Sequence, residues 1–584
     1  MSGVSGPAHT PPLDLLDAPA PVDVPGAPLD RPDTPPERRS DGPPASGESP
    51  SVQRRLARIA TGQWGVAAVA LAAGIAAWWF SDRHGLTMLY ADARSHMTIS
   101  RRLVDGPNHS LVQLGTVWLP LPHVLVAPFT LVTAWWRSGL AAMPVNLACL
   151  VIEAVALFRV VLLASRSRIG AWAAVMVLVT NPGWLYLHTT SLGEPVLFAA
   201  VLVTIAGLSG WVRSDKPYSG GELTVFCGLP AAAAVLSRYD GWAVAMAGAV
   251  FVVVVAQLRW HQWRYSLRCL RGFGIAPLVA AVWWCWFNFV NWGDPLEFQR
   301  GRYSAQAQQD LLDRAGLLPD KGQLGRSVST YLQATSGGAG RWVLLAGLLG
   351  SGAWLVVGRW RIRALAPWLL FAVPVGFYVL SLFTGQIALR LGTAEDPSMF
   401  NLRYGLQALP GLAAMAGLGA ALVSRGWSGP ARPWRSAVSI VLSVAVVTAT
   451  TVAWVGDWRG VPVVSEGLQQ RDLASASWAA AEFLHERAVV GDPAGGLIMV
   501  DDSVTPMLPV VGADLDRVSA PFSGRRWTTT LDDPRAAEWL YVDRSGEGDA
   551  VARALDGDPV AAASFRTVFR DGDVEVLQRI GTSR

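Results

Sequence analysis

From Trp64 to Val455 the chain keeps returning to long apolar stretches that would leave a helix no water-facing side. The expected spans are Trp64–Phe80, Leu140–Ala164, Ile169–Leu187, Leu192–Trp211, Leu223–Leu236, Trp242–Leu258, Phe273–Val290, Trp342–Val357, Leu365–Phe383, Leu406–Val423 and Ala437–Val455, about eleven in all. A crossing takes ~20 residues of helix, and several of these blocks are shorter. Inside lipid every backbone amide and carbonyl needs a partner within its own segment, so the expected architecture is an all-α polytopic membrane bundle. Composition agrees: hydrophobic residues make up 51 % of the chain and charged residues 16 %, where a soluble domain carries about 25 % charge. Tryptophans stand at block ends (Trp78, Trp79, Trp135, Trp136, Trp211, Trp454, Trp458), as rings that are apolar on one side and hydrogen-bonding on the other prefer.

Arginine sets the expected topology. Arg54, Arg55 and Arg58 precede the first span, which places the N-terminus in the cytoplasm. Alternate connections then carry Arg166 and Arg168, Arg213 and Lys216, Arg259 to Arg271, Arg359 to Arg363, and Arg425 to Arg435. Leu119–Trp136 is apolar enough to cross, but Pro120, Pro122 and Pro128 interrupt its backbone bonding. Counting it as a crossing would also turn every arginine cluster outward, so it is read as a juxtamembrane segment on the outer face. The expected organisation is a disordered Pro-rich cytoplasmic tail at 1–52, a membrane domain at 53–455 with its first outer loop at 81–139, and a non-cytoplasmic soluble domain at 456–584. That last part mixes helix-like Leu473–Arg487 with strand-like Leu497–Val500 and Val574–Leu577, an α/β or α+β pattern.

Net charge is only +4 and the basic residues lie in connections, which argues against a nucleic-acid partner. Cys149, Cys227, Cys269 and Cys285 show no ligand-type spacing, so neither zinc nor a disulfide framework is expected. No phosphate-binding loop of the ATP-driven pumps occurs.

The first outer loop carries the most chemistry. In Leu89–Val104, Asp92 and His96 are four apart and share a helix face. An amphipathic helix there would hold the Asp92 carboxylate at a fixed depth beside the membrane. Alternatively, Asp92 only caps that helix. Glu194, Arg238 and Asp240 stand at outer span ends, where ionisable groups are paired or functional. They are read either as a structural pair, Arg238 with Asp240 or Arg238 with Glu194, that fixes helix packing, or as functional groups. His123 and His188 are read as interfacial hydrogen-bonders rather than metal ligands, and Asp501–Asp502 as a solvated strand end.

Tyr90–His96, Arg101–Asp105 and Gly115–His123 resemble the first periplasmic loop of GT-C membrane glycosyltransferases of the protein O-mannosyltransferase and aminoarabinose transferase type. Asn181–Tyr186 through Glu194, Ser237–Trp242, Gly293–Phe298 and Asn401–Tyr404 extend the resemblance over roughly Trp64 to Val455. Members often carry two adjacent acids in the loop, whereas Ala93 follows Asp92 here. That departure bears against a metal-linked acid pair more than against a single base. The resemblance implies a GT-C-like fold and inverting sugar transfer from a polyprenyl-phosphate donor to a glycan, lipid or protein acceptor on the outer face of the plasma membrane. By motif position it implies Asp92 as general base. Arg403 with Tyr404 would bind the donor phosphate, and Arg300 and Arg302 are further candidates. His96, Glu194, Arg238 and Asp240 would bind substrate or support the site. No cofactor is expected; a divalent metal is possible for the class but not indicated. Two other readings remain open: a transporter or flippase for a lipid-linked saccharide, and a non-catalytic cell-envelope scaffold.

Overall fold

A computed structural model of the protein describes residues 62–581 except 215–217, 302–303, 360, 395, 426–431, 456 and 547. The expected tail at 1–52, Arg54, Arg55, Arg58, Lys216 and Arg302 lie outside the described residues. Among the described residues, eight helices are long and apolar enough to cross a membrane: Gln63–Arg83, Leu140–Ser165, Glu194–Arg213, Tyr239–Trp260, Trp263–Trp292, Ile362–Thr384, Leu402–Arg425 and Pro433–Val452. A ninth is possible if Leu324–Ala339 and Arg341–Val357, which meet at a 112° bend, count as one broken span.

Eight or nine replaces the eleven expected, and each shortfall has a local cause. The block expected at Ile169–Leu187 is divided into Arg168–Val179 and Pro182–Leu187. Pro182 supplies no amide, and the Asn181 side chain instead accepts from Trp184 N and starts a new helix. The block at Leu223–Leu236 sits in Gly220–Val235, whose ladder is broken by a π turn at Thr224–Gly228. The third, Arg341–Val357, begins at the bend itself, where Gly340 takes φ +90°.

The connections expected to be basic on one side do gather. Arg425 donates to the Arg166 carbonyl, Arg213 donates to the Arg363 carbonyl at 2.5 Å, and Arg259 binds the carbonyls of Val212 and Ser214. Around Arg166, Val212 and Ser214 these guanidinium groups meet carbonyls that a helix end leaves free.

Helix α1, Gln63–Arg83, leads to α2, Ala91–Arg102, and then to two short helices, Pro120–Thr130 and Thr133–Ser138, in place of a crossing. At the other end of the chain a small mixed sheet forms. After a two-stranded antiparallel ladder of β1, Arg390–Leu391, and β2, Met399–Phe400, its strands are β3 (Ile498–Met499), β4 (Val518–Ser519), β5 (Trp539–Asp543), β6 (Phe565–Asp571) and β7 (Val574–Arg579), in the order β4-β3-β5-β7-β6. β3 runs parallel to β4 and β5, while β7 pairs antiparallel with β5 and β6.

This sheet region is fastened to α2. Arg94 Nε donates to the Pro506 carbonyl at 3.0 Å and Arg101 Nη2 lies 3.4 Å from Asp514. Arg137 Nε donates to the Val510 carbonyl at 3.1 Å. One apolar cluster also joins Trp78, Met88, Met97 and Trp136 to Leu508, Val511, Val518 and Val576. Thus one face of α2 is committed to the C-terminal region and its other face is left to line a cavity.

Candidate active site

α2 starts at Ala91 with Tyr90 as its N-cap, and no side chain caps it. Asp92 therefore does not serve as the cap. Its carboxylate reaches away from the helix to Arg403, whose Nη2 lies 2.5 Å from Oδ2. Arg403 stands in the first turn of the span Leu402–Arg425. That turn is anchored by Glu466, whose carboxylate accepts from Asn401 N at 2.8 Å and Leu402 N at 2.9 Å. Burial pushes the Glu466 carboxyl up, against the pull of Arg403 and those two amides.

Arg403 is shared. Its Nε lies 3.1 Å from Glu194 Oε1, the same atom that accepts from Arg238 Nη1 at 3.1 Å. Arg238 Nε lies 3.4 Å from Asp240, which also accepts the Tyr378 hydroxyl at 2.7 Å. Arg238 thus meets Glu194 and Asp240 at once. Tyr404 lies beside both guanidinium groups, 5.5 Å from Arg403 and 5.7 Å from Arg238, and the Tyr90 ring flanks Arg403 at 5.3 Å.

Three carboxylates and two guanidinium groups leave this chain of contacts one negative charge in excess. Burial would raise the Asp92 carboxyl, but Arg403, then His96, outweigh it and hold it below the ordinary carboxylate range. The network is not saturated. Glu194 Oε2, Arg238 Nε, Asp240 Oδ1 and Arg403 Nε are buried without a well-formed hydrogen bond, and such atoms are rare unless something else uses them.

They border a cavity of about 1720 Å³ lined by Asp92, His96, Glu194, Arg238, Asp240, Tyr378, Arg403 and Tyr404. Asp92 keeps 42 % of its side chain accessible because it faces this space, whereas Arg403 keeps 5 %. The His96 ring lies 4.6 Å from Trp118. Its Nδ1 is 2.6 Å from His123 Nε2, and His123 Nδ1 is 3.0 Å from the Leu119 carbonyl. A carbonyl accepts only, so His123 carries its proton on Nδ1 and its Nε2 must accept from His96. Burial drives the His96 imidazole down to about 4 and His123 well below its usual value, so both are neutral at pH 7. His188 bonds Glu153 at 3.0 Å and the Trp184 carbonyl. Among the described residues no three His, Cys, Asp or Glu side chains gather as a metal site would require.

Arg300 departs from expectation. Its side chain is 65 % exposed and 3.9 Å from Asp294, and the stretch presents Phe298 and Gln299 to the cavity instead. Asp501 and Asp502 also differ from a solvated strand end. Asp501 is buried and accepts from Ser503 and from Ala550 N, while Asp502 borders the cavity. Tyr378 and Glu466 escaped sequence reasoning because neither belongs to a motif. A glutamate shortly after the last span was the only visible signal.

No protein-family model matches the chain, and no curated protein matches it. Among solved structures, the fold is similar to that of ArnT from Cupriavidus metallidurans bound to undecaprenyl phosphate, with a TM-score of 0.53 and 14 % identity over 89 % of this chain and 98 % of that one. ArnT in the apo state gives a TM-score of 0.53 and 15 % identity, with 88 % and 97 % covered. At that identity the likeness establishes the fold: an ArnT-like helical membrane protein with a small C-terminal mixed sheet, as the GT-C resemblance implied.

Proposed function

We propose that this protein is an integral membrane glycosyltransferase that moves a sugar from a polyprenyl-phosphate donor to an acceptor on the non-cytoplasmic face, with inversion. The observation that carries the reading is the Asp92–Arg403–Glu194 contact on a large cavity in an ArnT-like fold. That the ArnT structure holds undecaprenyl phosphate supports a polyprenyl-phosphate ligand here.

In this mechanism the acceptor hydroxyl oxygen attacks the anomeric carbon from the face opposite the phosphate. Its proton passes to Asp92, and the carbon–oxygen bond to phosphate breaks with both electrons leaving on the phosphate. Arg403 receives that phosphate, since a guanidinium offers paired donors to its oxygens. The two roles are linked. A phosphate drawing Arg403 loosens its hold on Asp92, whose carboxyl then rises towards a range where it can take a proton. The surplus carboxylate of the cluster suits the positive charge that develops at the anomeric carbon. Tyr404 braces both guanidinium groups, Arg238 and Asp240 fix Glu194 and Tyr378, and His96 lies beside Asp92 as a neutral ring.

The arrangement requires the N-terminus and the arginine-rich connections in the cytoplasm and residues 456–584 outside, with 53–455 as the membrane domain. Mass spectrometry of lipid-linked sugars and surface glycans, with and without the gene, tests the activity. Loss of the protein should accumulate one polyprenyl-phosphate sugar and remove one sugar from a surface glycan. An unchanged donor pool with lipid trapped in the inner leaflet would instead identify a flippase.

A further inference from the structure

The far end of the cavity is built differently. Arg102, the last residue of α2, and Asp502, from the loop after β3, both line it, as do Gln113 and Phe522. Arg102 and Asp92 are ten residues apart on one helix, so along its axis they are separated by ~15 Å. The two sites share one cavity without sharing a residue.

This end is held by contacts between the first outer loop and the C-terminal region. Arg102 donates from Nη2 to the Gln113 carbonyl at 3.1 Å, and its guanidinium carbon lies 5.0 Å from the Phe522 ring centre. Gln113 Nε2 donates to the Phe522 carbonyl at 3.2 Å, and Asn108 Nδ2 to the Ser523 carbonyl at 3.1 Å. The first outer loop and the C-terminal region are thereby clamped together around the ring. Within that clamp two polar atoms are buried and unused: Arg102 Nε, a donor, and Asp502 Oδ1, an acceptor. Burial pushes the Asp502 carboxyl up to about 7, with Arg102 opposing, and lowers Arg102 to about 10. Each feels the other's charge.

The chemistry of this pair selects a class of ligand. An anion would satisfy Arg102 but meet Asp502, and a cation the reverse. A hydroxyl both donates and accepts, and a sugar carries several beside apolar C–H faces that pack on an aromatic ring. We propose that Arg102, Asp502, Gln113 and Phe522 form an acceptor subsite for a neutral oligosaccharide, one unit of which is held between the first outer loop and the C-terminal region while another lies beside Asp92. The proposal rests on the transferase reading above and gives it an acceptor class: a glycan longer than a single sugar, because one ring does not reach from Arg102 to Asp92. It also gives the C-terminal region a task, that of reading the acceptor.

The test uses the full-length protein in detergent micelles. The probes are neutral fragments of the producing cell's own envelope polysaccharide, sized as mono- and tetrasaccharides, observed by saturation-transfer NMR. Undecaprenyl phosphate binding is measured in parallel and serves as the folding control. Wild type should bind the tetrasaccharide and not the monosaccharide. Asp502→Asn, Arg102→Gln and, as an independent probe, Phe522→Ala should each weaken tetrasaccharide binding at least about tenfold and leave undecaprenyl phosphate affinity unchanged. Equal tetrasaccharide binding by wild type and all three variants would overturn the subsite, as would a wild type that takes up undecaprenyl phosphate but no tetrasaccharide. Failure of the wild type to bind undecaprenyl phosphate would instead count against the transferase reading itself.

Discussion

Two arginines that look alike in the sequence end in unlike places. Arg403 is 5 % exposed, within 3.1 Å of two carboxylates and flanked by two tyrosine rings. Arg300 is 65 % exposed and loosely opposite Asp294. Arg403 opens an apolar block and Arg300 follows one, and both are suited to phosphate by residue type. The difference teaches that neighbours make the setting of an arginine: Arg403 is held by carboxylates that do not saturate it, in a wall that leaves it little exposed. Arg300 has bulk solvent on most sides and only a screened partner.

Substituting Arg403 should break that contrast most severely. In Arg403→Ala the buried Glu194 loses one of its two cationic partners, and removing half of a buried ion pair costs about 3–5 kcal/mol. Thermal unfolding in detergent should show that loss, and sugar transfer should fall by ~100-fold or more for want of the cation that the proposed mechanism sets against the leaving phosphate. A pH series sharpens the comparison with a smaller effect. The Asp92 carboxyl lies below its ordinary value in the folded protein. Its pairing with Arg403 therefore contributes stability in full above the unfolded value of about 3.9, and that contribution is lost as pH falls through the folded value. Asp92→Asn should accordingly lower the unfolding temperature at pH 6 and no longer do so at the acid end of the series. Smallest of all, Arg300→Ala should leave transfer within about twofold and stability within about 1 kcal/mol. A large loss there would mean the loop, rather than the cavity wall, receives the phosphate.

Much of this layout was legible because membranes simplify sequence. Apolar blocks marked the eight long helices, and the arginine connections that alternate along the chain do meet one another, as Arg425 with the 166 region and Arg213 with the 363 region show. What failed was local backbone detail. Pro182, the π turn at 224–228 and Gly340 shorten three blocks whose composition still reads as a span. At the site, Asp92 and His96 could be placed together by helical spacing, but the Asp92–Arg403 contact joins residues 311 apart and no periodicity encodes it. Asp502 was misread for a related reason. The end of a two-residue strand looks solvated in sequence, whereas Asp502 is half-buried on the cavity that α2 also lines.

Transfer by purified protein in liposomes carrying a radiolabelled polyprenyl-phosphate sugar and an acceptor glycan tests the central claim most directly. Asp92→Asn, at matched protein level and with undecaprenyl phosphate binding retained, should transfer ~10²- to 10⁴-fold more slowly than wild type. Transfer at the wild-type rate would contradict the account.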